Sequence, residues 1–286
     1  MKDIYTPASL AALWSVRDQC GGDGIMVAGG TDLLIEASRH INPRESLIDL
    51  SGLDELKGIC EKNNSIYIGA LETMSAVAAN DLVIRRATCL AQAAGRVGSW
   101  QIRNRATLGG NLANTSPAAD TPSAMAALEA EVILASPSGH RNVPVESIPS
   151  GPGQNSLRPG EIIVAFRLPI SERLFSAFSK IGSRSEVSIA RLNLAVAVSG
   201  GKSRTNNSFE KARVFMGTLG LALRRCPSAE KLLIESGLTR WKDFGQALAE
   251  TIAEAIPGRS TLPYKSSAVM ALAQDVLEDL GRKVEE

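Results

Sequence analysis

The chain has 286 residues, 44% of them hydrophobic and 21% charged, and its 31 basic and 30 acidic residues leave a formal net charge of +1. That length supplies core for two or three compact units, and the balanced charge leaves no footprint for nucleic acid or an anionic membrane. No apolar run reaches the roughly eighteen residues a membrane span needs, and the N-terminus turns polar again by Thr6-Pro7, so no membrane span and a cytoplasmic location are expected.

In chain order, Thr6 and Pro7 ahead of Leu10, Leu13, Trp14 and Val16 predict a helix capped by Thr6 with Pro7 in its first turn, ended by Gly21-Gly22-Asp23-Gly24. Ile25 to Ala28 predicts a short buried strand running straight into Gly29-Gly30-Thr31-Asp32. Leu47 to Leu50 predicts a second strand, and Ser65 to Ala70 a third after a turn at Asn63-Asn64. Leu82, Leu90, Ala93, Ala94 and Val97 predict one helix over Asp81 to Gly98, followed by a polar stretch from Gly98 to Arg105. Asp120-Thr121-Pro122 opens another helix, with Asp120 as a plausible N-cap. Val132 to Ala135 and Glu161 to Leu168 predict strands, the latter stopped by Pro169. The remainder reads as strands over Arg191 to Gly200 and Lys211 to Gly217, then helices near Ser228–Glu235, Arg240–Ala255 and Ser266–Val284.

Cys20, Cys60, Cys89 and Cys226 are scattered singly, without a Cys-x-x-Cys pair, and His40 and His140 are the only histidines. This spacing argues against an iron–sulfur cluster or structural zinc held by this chain and suits free thiols in a reducing compartment.

Two segments carry the chemical signal. In Val27-Ala28-Gly29-Gly30-Thr31-Asp32-Leu33, a buried strand delivers two glycines and a hydroxyl to one bend. Glycines there permit positive φ and the close approach of N–H groups to an anion such as a diphosphate, although an ordinary tight turn has the same composition. Thr107-Leu108-Gly109-Gly110-Asn111 repeats the theme, and Asp120 follows. Asn111 offers donor and acceptor together, and Asp120 offers an acceptor for hydroxyls or simply a helix cap. Neither segment is Gly-x-Gly-x-x-Gly or a Gly-Lys-Ser/Thr phosphate loop, which disfavours a nicotinamide Rossmann domain and an ATPase. Two separate Gly-Gly steps suit one elongated ligand touched from two sides.

Together these residues resemble the FAD-binding subunit of the xanthine dehydrogenase family of molybdenum hydroxylases, of the carbon monoxide dehydrogenase medium-chain type. The resemblance rests on Ala28 to Leu34, on Gln101-Ile102-Arg103-Asn104 leading into Thr107 to Asn111, and on Ser116-Pro117 and Asp120. Ile48-Asp49-Leu50, Ile68-Gly69-Ala70, Gly151-Pro152-Gly153, Glu161-Ile162-Ile163, Phe178-Ser179-Lys180, Ile189-Ala190-Arg191 and Tyr264-Lys265 extend it over almost the whole chain.

The resemblance implies an α+β protein: a two-lobed FAD-binding fold of two α/β subdomains, 1–56 and 57–172, and a C-terminal domain of antiparallel strands and helices, 173–286. It implies non-covalent FAD, with Met26, Val27, Ala28, Gly29, Gly30, Thr31, Asp32 and Leu33 as the first diphosphate segment and Thr107, Gly109, Gly110 and Asn111 in the second. Asp120 matches an acidic flavin contact, and Val97, Ile163 and Lys180 match positions that line the flavin. The segment Gly182 to Ile189 resembles a loop beside the isoalloxazine, with no fixed role assigned. The implied partners are an iron–sulfur subunit and a molybdenum-cofactor subunit, which carry those centres, and NAD is a possible acceptor. No catalytic residue and no metal ligand are assigned to this chain. Two other classes stay open: a self-sufficient flavin oxidase, and an assembly subunit that has lost its flavin.

Overall fold

The computed structural model describes residues 3–21, 24–35, 46–184, 187–200, 209–220 and 223–285. The chain opens with a small parallel sheet of order β1-β3-β2, formed by β1 (Ile4–Tyr5), β2 (Ile25–Val27) and β3 (Leu47–Asp49). Helix α1 (Leu10–Gln19) packs on it through Leu13. Its N-cap is Ser9, whose Oγ accepts the Ala12 N–H at 3.2 Å, so the expected cap at Thr6 is corrected by three residues. The shift has a tertiary cause. Glu55 accepts the Leu10 N–H at 2.5 Å, a donor that a helix begun at Thr6 would have used internally. Pro7 lies buried ahead of the helix, outside its first turn.

The second sheet has five strands in the order β4-β5-β10-β6-β7 and is antiparallel throughout. Its members are β4 (Ile59–Lys62), β5 (Ser65–Gly69), β6 (Glu131–Ser136), β7 (Gly139–Pro144) and β10 (Ile162–Pro169), with the β8 (Pro149–Gly151) and β9 (Gln154–Asn155) hairpin between β7 and β10. Asn63 and Asn64 sit at φ 50° and 52° and close the β4–β5 hairpin as the turn the sequence predicted. β10 is the central strand, which explains its nearly continuous apolar run, and Pro169 ends it while still paired with Ser65.

Six short helices fill the span between β5 and β6: α2 (Met74–Ala79), α3 (Asp81–Arg86), α4 (Thr88–Gly95), α5 (Trp100–Arg103), α6 (Leu108–Ala113) and α7 (Thr121–Ala127). The single helix expected over Asp81 to Gly98 is broken at Ala87, at φ −141°. Local propensity favours continuation here; a tertiary hydrogen bond makes the break tolerable. Ser176 Oγ accepts the Cys89 N–H at 3.1 Å, a donor left without an intrahelical partner at the start of α4. The polar stretch Gly98 to Arg105 contains α5, capped by Ser99. Burial pushes the Cys89 thiol up to about 12, which makes it an inert core residue.

The third sheet, β11-β12-β13-β14, is antiparallel and formed by β11 (Leu174–Gly182), β12 (Ala190–Ser199), β13 (Lys211–Gly217) and β14 (Arg224–Arg225). β12 is buried on both faces, and its alternation explains how. Leu192, Leu194, Val196 and Val198 join a core with α8 (Pro227–Ser236), α9 (Trp241–Ala255) and α10 (Leu262–Glu285), whereas the smaller Ala195 and Ala197 join the core of the second sheet and its helices. The first and second sheets share core as well, since Leu13, Ile48 and Leu53 pack with Ala135, Ile162 and Val164.

One ion pair pins the entry to β10. Glu161 accepts two bonds from the Arg141 guanidinium, at 2.5 and 2.7 Å, and takes the Arg158 N–H at 2.7 Å. Arg17 on α1 donates to the Gly160 carbonyl of the same turn at 2.7 Å. The Arg141 bonds hold the Glu161 carboxyl down at about 2, below its ordinary 4.5. Because the folded value is depressed, the stabilisation is complete above pH 4.5 and is lost as the pH falls toward 2. Glu161→Gln is expected to cost about 2 kcal/mol at pH 7, after discounting for the partly exposed guanidinium. Urea unfolding at a series of pH values should show the gap from wild type narrowing steadily below pH 4.5.

Candidate functional site

The first glycine step leaves β2 as predicted, and its two glycines do different work. Gly30 sits at φ +71°, a conformation that side chains rarely adopt. A Cβ on Gly29 would lie 2.0 Å from the Arg105 carbonyl oxygen and 3.0 Å from Ala106 Cα, so Gly29 is required by main chain just ahead of the second segment. Among the described residues, the N–H groups of Gly29, Gly30, Thr31 and Asp32 have no hydrogen-bond acceptor, and the Thr31 hydroxyl has none either. The bend is therefore a cluster of free donors at the C-terminal end of a parallel strand. A valine at Gly30 strains this backbone before any ligand arrives, so that substitution cannot separate binding from folding.

The second glycine step is not a loop. Thr107 is the N-cap of α6 and accepts the Gly110 N–H at 3.1 Å, which places Gly109 and Gly110 in the helix's first turn. The Leu108 and Gly109 N–H groups donate to the carbonyls of Glu72 and Ala70 at 2.9 and 2.8 Å, and Asn111 donates to Thr107 at 2.9 Å. All four amides are thus consumed within the protein. What this step presents instead are side-chain atoms and space. Asn111 Oδ1 accepts from the Thr121 hydroxyl at 2.7 Å, and its amide nitrogen has no partner among the described residues. Gly109 is required by Ala70, whose Cβ and carbonyl would both lie 2.8 Å from an added methyl. Gly110 faces Ala28, with 3.7 Å between an added Cβ and the Ala28 methyl. The two glycine steps, about eighty residues apart in sequence, thus meet back to back.

Asp120 stands at the N-cap position of α7, but its side chain does not cap the helix. Its φ and ψ are −88° and −42°, and its side chain bonds no helix N–H. The carboxylate is buried and pairs with Lys180 Nζ at 2.5 Å. Lys180, on β11, also donates to the carbonyls of Arg96 at 2.6 Å and Ser188 at 3.2 Å. The ammonium therefore ties together Asp120, the residue preceding Val97, and the far side of the segment Gly182 to Ile189. Burial pushes the Asp120 carboxyl above its ordinary value, against the pull of Lys180 and of the Asn193 amide. Val97 is partly buried against the central core, with its carbonyl accepting from Arg103 at 3.2 Å. Ile163 is a core residue of β10; its neighbour Val164 accepts the N–H of Ala70, the residue that Gly109 touches. Met26 and Ala28 pack on the core of the first sheet, and Val27 is buried.

Two features escaped the sequence. Thr115, between Asn111 and Asp120, is a β-branched residue at φ 47° whose buried hydroxyl has no partner among the described residues. Asn193 is a fully buried amide that reaches Asp120 from β12. Inside a run reading Leu192-Asn193-Leu194, one polar residue signalled a buried partner without saying which.

The chain has relatives among known proteins. A family model described as the FAD binding domain in molybdopterin dehydrogenase matches residues 1–171. The xanthine dehydrogenase FAD-binding subunit of Escherichia coli O157:H7 is 30% identical over 89% of this chain and 87% of its own length. The carbon monoxide dehydrogenase medium chain of Afipia carboxidovorans is 27% identical over 96% of this chain and 95% of its own. Among solved structures, carbon monoxide dehydrogenase from Hydrogenophaga pseudoflava lacking the Mo-pyranopterin moiety superposes with a TM-score of 0.87 at 26% identity, covering 98% of this chain and 97% of that one.

The Lys180–Asp120 pair makes a direct prediction. Lys180→Met strands a buried carboxylate and is expected to cost about 3 kcal/mol at neutral pH. With its cation gone, burial outweighs the remaining pull of Asn193 and Arg96 on Asp120 still further, so the deficit should shrink as the pH is lowered and the carboxyl takes up a proton. Urea unfolding at pH 8 and pH 5 measures both.

Proposed function

Because this chain belongs to the FAD-binding family of molybdopterin dehydrogenases, we propose that it is the electron-transfer flavoprotein subunit of a molybdenum hydroxylase of the xanthine dehydrogenase type. The observation that carries this reading is the unsatisfied donor cluster at Gly29 to Asp32, backed by the second glycine step.

These residues fit FAD. The free N–H groups of the first step and the Thr31 hydroxyl match the acceptor oxygens of a diphosphate, and the parallel strand β2 delivers them without a side chain in the way. The Asn111 amide is free to donate to a ribose or a ring carbonyl. The buried but unpaired Thr115 hydroxyl is a further donor of the kind a bound polar group satisfies. Met26 to Leu33 hold one end of the cofactor, and Thr107, Gly109, Gly110 and Asn111 flank it from the second lobe. Val97, Asp120, Ile163 and Lys180 line the flavin end. The chain divides into lobes 1–56 and 57–172 and a C-terminal unit, 173–286.

FAD bound without a covalent link supplies the redox chemistry. The chain takes electrons from an iron–sulfur partner subunit, itself fed by a molybdenum-cofactor subunit, and passes them to NAD or another acceptor. Its own residues bind, orient and shield, and none acts as acid, base or nucleophile. The relatives' designations as FAD-binding subunit and medium chain support a multi-subunit assembly. Among the described residues, no helix is long and apolar enough to cross a membrane, and all four cysteines are free, which accords with a cytoplasmic setting.

Purification of the native assembly tests the reading. Acid precipitation should leave a yellow supernatant containing one FAD per chain, and larger and smaller subunits should co-purify. Thr31→Val, which removes one hydroxyl donor and keeps the side-chain shape, is expected to weaken FAD binding about tenfold. A chain without flavin bands, or a yellow pellet, would sink the proposal.

A further inference from the structure

Lys180, Asn193 and Gly217 stand in one row across the third sheet, paired Lys180 to Asn193 between β11 and β12 and Asn193 to Gly217 between β12 and β13. Residues directly opposite in antiparallel strands present their side chains on the same face. The row therefore offers an ammonium, an amide and an empty position side by side. The empty position is needed, because a Cβ on Gly217 would lie 2.5 Å from Asn193 Oδ1.

The Asn193 side chain is fully buried, and its bonding capacity is filled. Its nitrogen donates to the Ala119 carbonyl at 3.1 Å and to Asp120 Oδ1 at 3.3 Å. Its oxygen accepts the Gly217 N–H and the Ser123 hydroxyl, both at 2.9 Å. A buried amide costs stability unless such bonds are made. Apart from the bond from the Gly217 N–H, all of them go to the Ala119–Ser123 turn that carries Asp120. That turn also holds Thr121, whose hydroxyl bonds Asn111 of the second glycine step.

We propose that Asn193 is a positioning residue of the cofactor site: it clamps the Asp120 carboxylate and its turn from below, and through them sets the affinity and environment of bound FAD. The inference rests on the preceding reading that the chain holds FAD. Aspartate would present an acceptor where Asp120 and the Ala119 carbonyl need a donor. Alanine would remove all four of these bonds at once.

The test uses the purified full chain, stripped of flavin and titrated with FAD. It compares wild type with Asn193→Asp, Asn193→Ala and the milder Ser123→Ala. Thermal unfolding checks the fold, flavin fluorescence gives the dissociation constant, and visible circular dichroism at saturation reports the flavin's surroundings. Both Asn193 variants are expected to weaken binding about tenfold or more and to alter the visible dichroism, and Ser123→Ala to weaken binding about threefold. If the Asn193 variants fail to fold, Ser123→Ala decides. Folded variants with wild-type affinity and visible dichroism overturn the positioning role while leaving the FAD reading intact. A wild-type chain that takes up no FAD overturns both.

Discussion

Everything at the site depends on two places where main chain meets main chain with no side chain between. Gly29 lies against Arg105 and Ala106, and Gly109 lies against Ala70. The first contact brings the end of β2 onto the segment leading into α6; the second seats α6 on the end of β5. A single methyl at either position meets backbone atoms, which cannot rotate away as a side chain does. The placement of the two glycine steps is therefore set by the absence of atoms. Free donors collect at the bend that follows β2.

The consequence is a division of labour that motif reading alone does not show. Both segments carry Gly-Gly beside threonine, yet one exposes its amides and the other spends them. Near α6, the carbonyls of Ala70 and Glu72 reach the helix's first donors, and Thr107 takes a third. Near Gly30, positive φ turns the chain before any acceptor arrives. Equivalent composition thus yields an anion-type cradle in one case and a rigid wall in the other. The C-terminal sheet contributes Lys180 and Asn193, so three separate stretches of chain converge on Asp120 and its neighbours.

Much of this was legible in the amino-acid order. The strand into Gly29-Gly30, the Asn63-Asn64 hairpin, the buried β10 run and the three C-terminal helices are local signals, and the structure contains each of them. Periodicity and turn chemistry act over a few residues, so a few residues suffice to read them. The likeness of Ala28–Leu34 and Thr107–Asn111 to a known family, in the right order, carried the FAD assignment that the family match supports.

What only the tertiary structure decided are the points where a distant partner outweighs local preference. Glu55 moves the start of α1 from Thr6 to Ser9, and Ser176 permits the break at Ala87. Lys180 and Asn193 take Asp120 away from the capping role that its position before Thr121-Pro122 suggested. Each case involves a polar group whose hydrogen bond is completed by a residue roughly forty-five to ninety positions away. Buried donors and acceptors must be paired somewhere, and the sequence states that requirement without naming the partner; the fold supplies it.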